Sequence, residues 1–155
     1  MTSAAFLLAL GLAFVFATTA ARHVLEPWRI RGALSTAGIR DDLAPVVTGT
    51  EAALVPLLVL SPRLGGALAV AYLGVVTAAL AIAVAAGRQI EDCGCTRKPH
   101  RVDGAYFGRN AALLALGAVV GVFGSPGYPF AGLGVAGVVA AIAVTRFAGA
   151  RRAHG

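Results

Sequence analysis

Five long apolar runs, over about residues 3–21, 43–60, 64–87, 106–123 and 130–147, constrain this chain more than any motif does. As helices rising about 1.5 Å per residue, each is long enough to cross the hydrocarbon core of a bilayer. Composition agrees: 58% of the 155 residues are hydrophobic, 13% are charged and the mean hydropathy is +0.81, far outside the range of soluble domains. The expected fold is all-α, a polytopic membrane helix bundle of about five (four to five) transmembrane helices. Residues 1–155 form a single integral membrane domain. The setting this implies is the lipid bilayer of the cell (plasma) membrane, crossed several times.

The first run ends on small residues, Thr18 to Ala21, as a signal peptide would. No Lys or Arg precedes it, and it is longer than a usual signal core, so a retained helix is expected. Arg22 to Asp42 reads as a polar connector at headgroup level, with Trp28 beside arginines and a short helix at most. The second run carries Pro45, Pro56 and one acid, Glu51. A carboxylate in a membrane helix costs several kcal/mol, to order of magnitude, unless it is paired, protonated or wet, which makes Glu51 a functional candidate. Ser61-Pro62-Arg63 and Ser125-Pro126-Gly127-Tyr128-Pro129 are turns, because proline cannot continue a helix. Gly117 and Gly121, four apart, allow close approach of two helices.

Between the third and fourth runs lies the polar centre of the sequence, residues 88–105. It holds both cysteines, as Cys93-Gly94-Cys95. Together with Arg109 it carries many of the chain's Lys, Arg, Asp and Glu side chains. A disulfide between residues two apart forms only if the chain bends, which Gly94 permits; the small ring is strained and so readily reduced. Arg88, Arg97, Lys98 and Arg101 favour thiolate, while Glu91 and Asp92 oppose it. Redox exchange is the leading reading of the pair. The alternatives are a soft-metal site for copper or zinc that adds His100 to the two sulfurs, and a non-catalytic subunit of a membrane complex.

The second run starts, the third ends and the fourth starts on the cysteine side. Glu51, Cys93, Cys95, Arg109 and Asn110 therefore lie toward one membrane face, and these five are the candidate catalytic residues. Glu51 sits about 10 Å inside its helix start. Either an ion pair of Glu51 with Arg109 or a proton-handling cluster is available there.

Sorting the loops by side puts every one of the 13 Lys and Arg residues except Arg63 on the cysteine side. Basic residues collect in cytoplasmic loops, which predicts a cytoplasmic cysteine loop. The net charge of +6 is accounted for in this way, and nucleic acid is not an expected partner, since no soluble domain carries a basic groove.

Glu51 early in the second run, Asp92-Cys93-Gly94-Cys95 after the third and Arg109-Asn110 opening the fourth resemble the methylamine-utilisation MauE family. That family stands within the wider DoxX-like group of small four- or five-helix membrane proteins. The likeness extends from the first run to the fourth, and the Cys-x-Cys loop followed by Arg-Asn is its most specific part. Family members often follow the second cysteine with Phe-Gly, whereas this chain has Thr96-Arg97 and a longer basic insert. The resemblance implies a membrane thiol–disulfide protein working with a thioredoxin-like partner in the maturation of exported disulfide-bearing proteins. It also implies an extracytoplasmic dithiol, opposite to the charge distribution. No cofactor is required by this reading; quinone in the membrane is one electron partner open to it. Client, direction of electron flow and oligomeric state are left open.

Overall fold

Proline and glycine set the helix boundaries. The computed structural model describes residues 3–92 and 101–124. The first helix, α1 (Ser3–Leu25), has no internal proline and stops at Glu26, whose φ of −129° leaves helical geometry just before Pro27 opens α2 (Pro27–Thr36). Gly38, at φ +74°, ends α2 in the left-handed region open to glycine. A 3-10 turn over Asp41–Leu43 leads into α3 (Ala44–Leu60). Pro56 lies inside α3, which nevertheless stays continuous. One residue, Ser61, separates α3 from α4 (Pro62–Ala85), again with proline in the first turn. Asp103 caps α5 (Gly104–Phe123), its Oδ1 accepting from the backbone N–H of Ala105 at 3.0 Å and Tyr106 at 3.1 Å.

Among the described residues there are five α-helices and no strand, and four of the helices are long and apolar enough to cross a membrane. The first membrane helix reaches Leu25, four residues beyond the end expected at Ala21, because Arg22 and His23 continue it as helix. The connector contains a full helix of 10 residues, α2, that packs its Ile30, Ala33 and Leu34 inward. The fifth expected span, 130–147, lies outside the described residues.

The four long helices surround a common axis in the order α1, α3, α4, α5. α1 packs on α3 and α5, and α4 on α3 and α5, whereas the backbones of α3 and α5 stand diagonally opposed without close approach. Gly66 of α4 meets Gly117 and Gly121 of α5; a Cβ on Gly66 would come within 2.5 Å of the Gly121 nitrogen and 2.8 Å of the Gly117 oxygen. These are the two glycines expected to seat a neighbouring helix.

Two apolar clusters fill the interior. One joins Leu12 and Phe16 of α1, Leu54 and Leu58 of α3, Leu73 of α4 and Val120 of α5. The other lies at the cysteine-loop end, where Ala33 of α2, Leu80, Ala83, Ile90, Val102 and Tyr106 come together. Large apolar side chains also point outward: Phe14, Val75 and Ile82 are 64%, 70% and 71% exposed. A chain whose outer faces are apolar as well as its core takes the bilayer as its solvent, and this is a multi-pass membrane protein.

Candidate functional site

The inward stripe of α1 runs Ala5, Ala9, Leu12, Ala13, Phe16, Ala20 and His23, at the three- and four-residue spacing of one helix face. His23 thus enters the interior in register with apolar residues and is 3% exposed. Opposite it on α3 stands Glu51, 4% exposed. His23 Nδ1 lies 2.9 Å from Glu51 Oε2, an ion-pair distance whose angles fall outside those of a hydrogen bond. The Tyr72 hydroxyl donates to Glu51 Oε1 at 2.8 Å, and Tyr72 itself packs edge-on against Phe16.

Across the bundle, α5 supplies Arg109 and Asn110. The Arg109 guanidinium lies 5.2 Å from the Tyr106 ring centroid, within the range of a cation–π contact. Its Nε is buried and has no hydrogen-bond partner among the described residues. Asn110, 3% exposed, donates from Nδ2 to Thr77 Oγ1 at 2.9 Å, tying α5 to α4. Between these two polar walls lies a cavity of about 330 Å³, lined by residues of all four long helices, including Phe16, Glu51, Tyr72, Tyr106, Arg109 and Asn110. It lies between the two apolar clusters, and Glu51 and Arg109 stand roughly 7–11 Å inside the starts of their helices.

The structure therefore brings Glu51, Arg109 and Asn110 to one cavity. The four ion pairs among the described residues do not include Glu51–Arg109; His23 takes the place given to Arg109 in the sequence reading. The reason is geometric, since α3 and α5 are diagonal while α1 is packed directly on α3.

Cys93, Cys95 and His100 lie outside the described residues, but the roots of their loop do not. Val102 N–H donates to the Ile90 carbonyl at 2.9 Å, and both side chains are buried, 5% and 1% exposed. The loop thus leaves from a pinched base seated on the second apolar cluster. Asp92, the residue before Cys93, is held by Arg29 of α2, whose Nε and Nη2 donate to its two oxygens at 2.6 and 2.8 Å. Arg29 also donates to Glu26 at 2.6 Å. Hydrogen bonding to Asp92 first, then to Glu26, raises the guanidinium pKa above its ordinary value. Beside this pair opens a groove of about 530 Å³ along Trp28, Gly32, Thr36 and residues 89–92.

Among the described residues no three His, Cys, Asp or Glu side chains are grouped to hold a metal ion. Sequence reasoning missed His23, Tyr72 and the Arg29–Asp92 pair. The register of His23 with Phe16 and Ala20 was a readable signal, obscured by ending the span at Ala21, before Arg22.

No curated protein and no solved structure matches the chain. Residues 1–124, which include all four long helices, the cavity and the cysteine pair, match the family model described as methylamine utilisation protein MauE, and the chain belongs to that family.

Proposed function

We propose that this chain is a membrane thiol–disulfide redox protein that presents Cys93 and Cys95 to a thioredoxin-like partner, in disulfide or protein-maturation chemistry. The observation that carries the reading is a cavity lined by Glu51, Arg109 and Asn110, below the paired base of the loop that bears the chain's two cysteines. A purely structural bundle has no need of a carboxylate, an imidazole, a guanidinium and an amide in its interior, where each costs free energy.

The chemistry balances on the chain's own groups. The thiolate of one cysteine attacks a disulfide of the partner, forming a mixed disulfide and releasing one partner thiolate. The second cysteine then attacks the first sulfur, closing the Cys93–Cys95 bond and releasing the other partner thiolate. Two electrons pass to the partner. Two protons leave the cysteines and two are taken up by the departing sulfurs. Glu51 and His23 are a place where one such proton rests, and Arg109 favours anionic sulfur through its charge. In this reading the five candidate residues Cys93, Cys95, Glu51, Arg109 and Asn110 act together, the last three by positioning and proton traffic.

Thiol trapping with a mass tag tests the proposal. Oxidised protein is expected to take up no tag until reductant is added, and then two. Full tagging of both cysteines under oxidising conditions, with copper or zinc found in the purified protein, overturns it in favour of a soft-metal site.

A further inference from the structure

We propose that the cavity between α3 and α5 binds the ring of a lipid-soluble quinone. It lies inside the membrane-spanning part of the bundle, so its ligand arrives from the bilayer. Its volume, about 330 Å³, is at the small end of ligand pockets, roughly 300–1,000 Å³, and suits a single substituted ring. Glu51 on α3 and Arg109 with Asn110 on α5 stand on diagonally opposed walls, and Tyr72 of α4, between them, donates to Glu51. The aromatic rings of Phe16, Tyr72 and Tyr106 line the space between.

That arrangement selects the chemistry of the occupant. A fatty-acid carboxylate would face Glu51, and an amine would face Arg109; each charged headgroup meets its own sign on one wall. A neutral, flat molecule with an acceptor oxygen at each end meets no like charge on either wall; one oxygen takes the Arg109 Nε–H and the other lies toward the Tyr72 hydroxyl, which here donates to Glu51. Arg109 Nε supplies a buried donor with no partner among the described residues, so an acceptor beyond them is called for at that wall. A ring dicarbonyl fits these demands, and its two carbonyls become two hydroxyls on taking up two electrons and two protons.

Binding itself does not depend on the cysteines; use of the quinone as electron acceptor rests on the thiol–disulfide reading above. In that use the exchange runs in the reverse direction: a partner dithiol reduces the Cys93–Cys95 disulfide and leaves as a disulfide, and the Cys93 and Cys95 thiols then lose two electrons and two protons, one S–S bond forms, and the quinone becomes the hydroquinone.

The test uses the full chain, purified in detergent as the double Cys93→Ser, Cys95→Ser variant, and a photoreactive azidoquinone. Label is expected on peptides covering residues 15–19 and 106–113, displaced by excess decylubiquinone and not by decanol. Arg109→Leu is expected to lower labelling at least tenfold, and Arg109→Lys to restore part of it, with thermal melting showing both variants folded. Glu51→Gln, which keeps the shape, serves as the second wall's variant and is expected to weaken labelling several-fold. Label confined to the outer faces around Val75 and Ile82, or displaced equally by decanol, overturns the site and leaves the thiol–disulfide proposal standing. With the wild-type cysteines, one quinone reduced per disulfide formed supports the electron transfer. Labelling without quinone reduction in protein that still exchanges disulfides overturns the transfer alone.

Discussion

Arg29 and Asp92, 63 residues apart in sequence, meet in a two-point ion pair with N···O distances of 2.6 and 2.8 Å. The pair fixes the backbone immediately before Cys93 to a helix that is itself packed on α1 and α3. It also sets a positive charge against the one acid adjacent to that cysteine.

Removing the clamp has two expected effects. Arg29→Ala removes the two-point pair with Asp92, lowering stability by about 1–3 kcal/mol. It is also expected to slow alkylation of Cys93 at neutral pH several-fold, because losing the Arg29 cation beside Asp92 disfavours the neighbouring thiolate. Arg29→Lys keeps the charge without the two-point geometry and is expected to restore the alkylation rate more than the stability. Iodoacetamide kinetics and thermal melting in detergent check the two halves separately.

Glu51→Gln keeps a side chain able to accept from Tyr72 and abolishes the titrating carboxyl. The expected outcome is near-native melting with a slower disulfide exchange and a flattened pH profile. Glu51→Leu removes the acceptor of the Tyr72 hydroxyl and the partner of His23, and about 1–3 kcal/mol of stability is expected to go with them. An unchanged rate and pH profile in Glu51→Gln, with lower yield the only effect of Glu51→Leu, would reduce the cluster to a structural one.

At the far end of the bundle, Gly66→Ala drives a methyl into the α5 backbone at Gly121 and is expected to cost about 1–3 kcal/mol in stability, as overpacking does. Gly49→Ala is the matched control, since a Cβ there meets open space. Its melting temperature is expected to equal or exceed that of the parent, because alanine is the better helix former.

Orientation is decided by a membrane-impermeant thiol reagent on intact spheroplasts. Arg63 lies in the first turn of α4, at the end away from the cysteine loop, whereas Arg29, Arg40, Arg88 and Arg101 lie outside the long helices on the loop's own side. Protection of Cys93 and Cys95 until the membrane is opened is the outcome expected from this charge distribution. Labelling of intact spheroplasts would place the dithiol outside.

The membrane helices were legible because hydropathy over some 18 residues averages out local accident. The runs at 43–60, 64–87 and 106–123 differ from the helices Ala44–Leu60, Pro62–Ala85 and Gly104–Phe123 by at most two residues at any end. Glu51 stood out because a carboxylate among apolar residues demands an explanation. Tyr72 did not, since a tyrosine inside an apolar run is ordinary and its hydroxyl's target lies on another helix. The Arg29–Asp92 pair was hidden for a related reason: charge partners far apart in sequence leave no periodic trace. His23 was lost to a boundary rule, that a span ends at its first charge, which fails where the next residue turns inward.

The hydrogen bond from Val102 to Ile90 makes the segment between them a cassette. Its two anchor points are buried side by side, so residues added or exchanged beyond Asp92 do not pull on α4 or α5. Exchange of the segment between Asp92 and Val102 for a relative's is therefore expected to leave the melting temperature of the four-helix bundle unchanged.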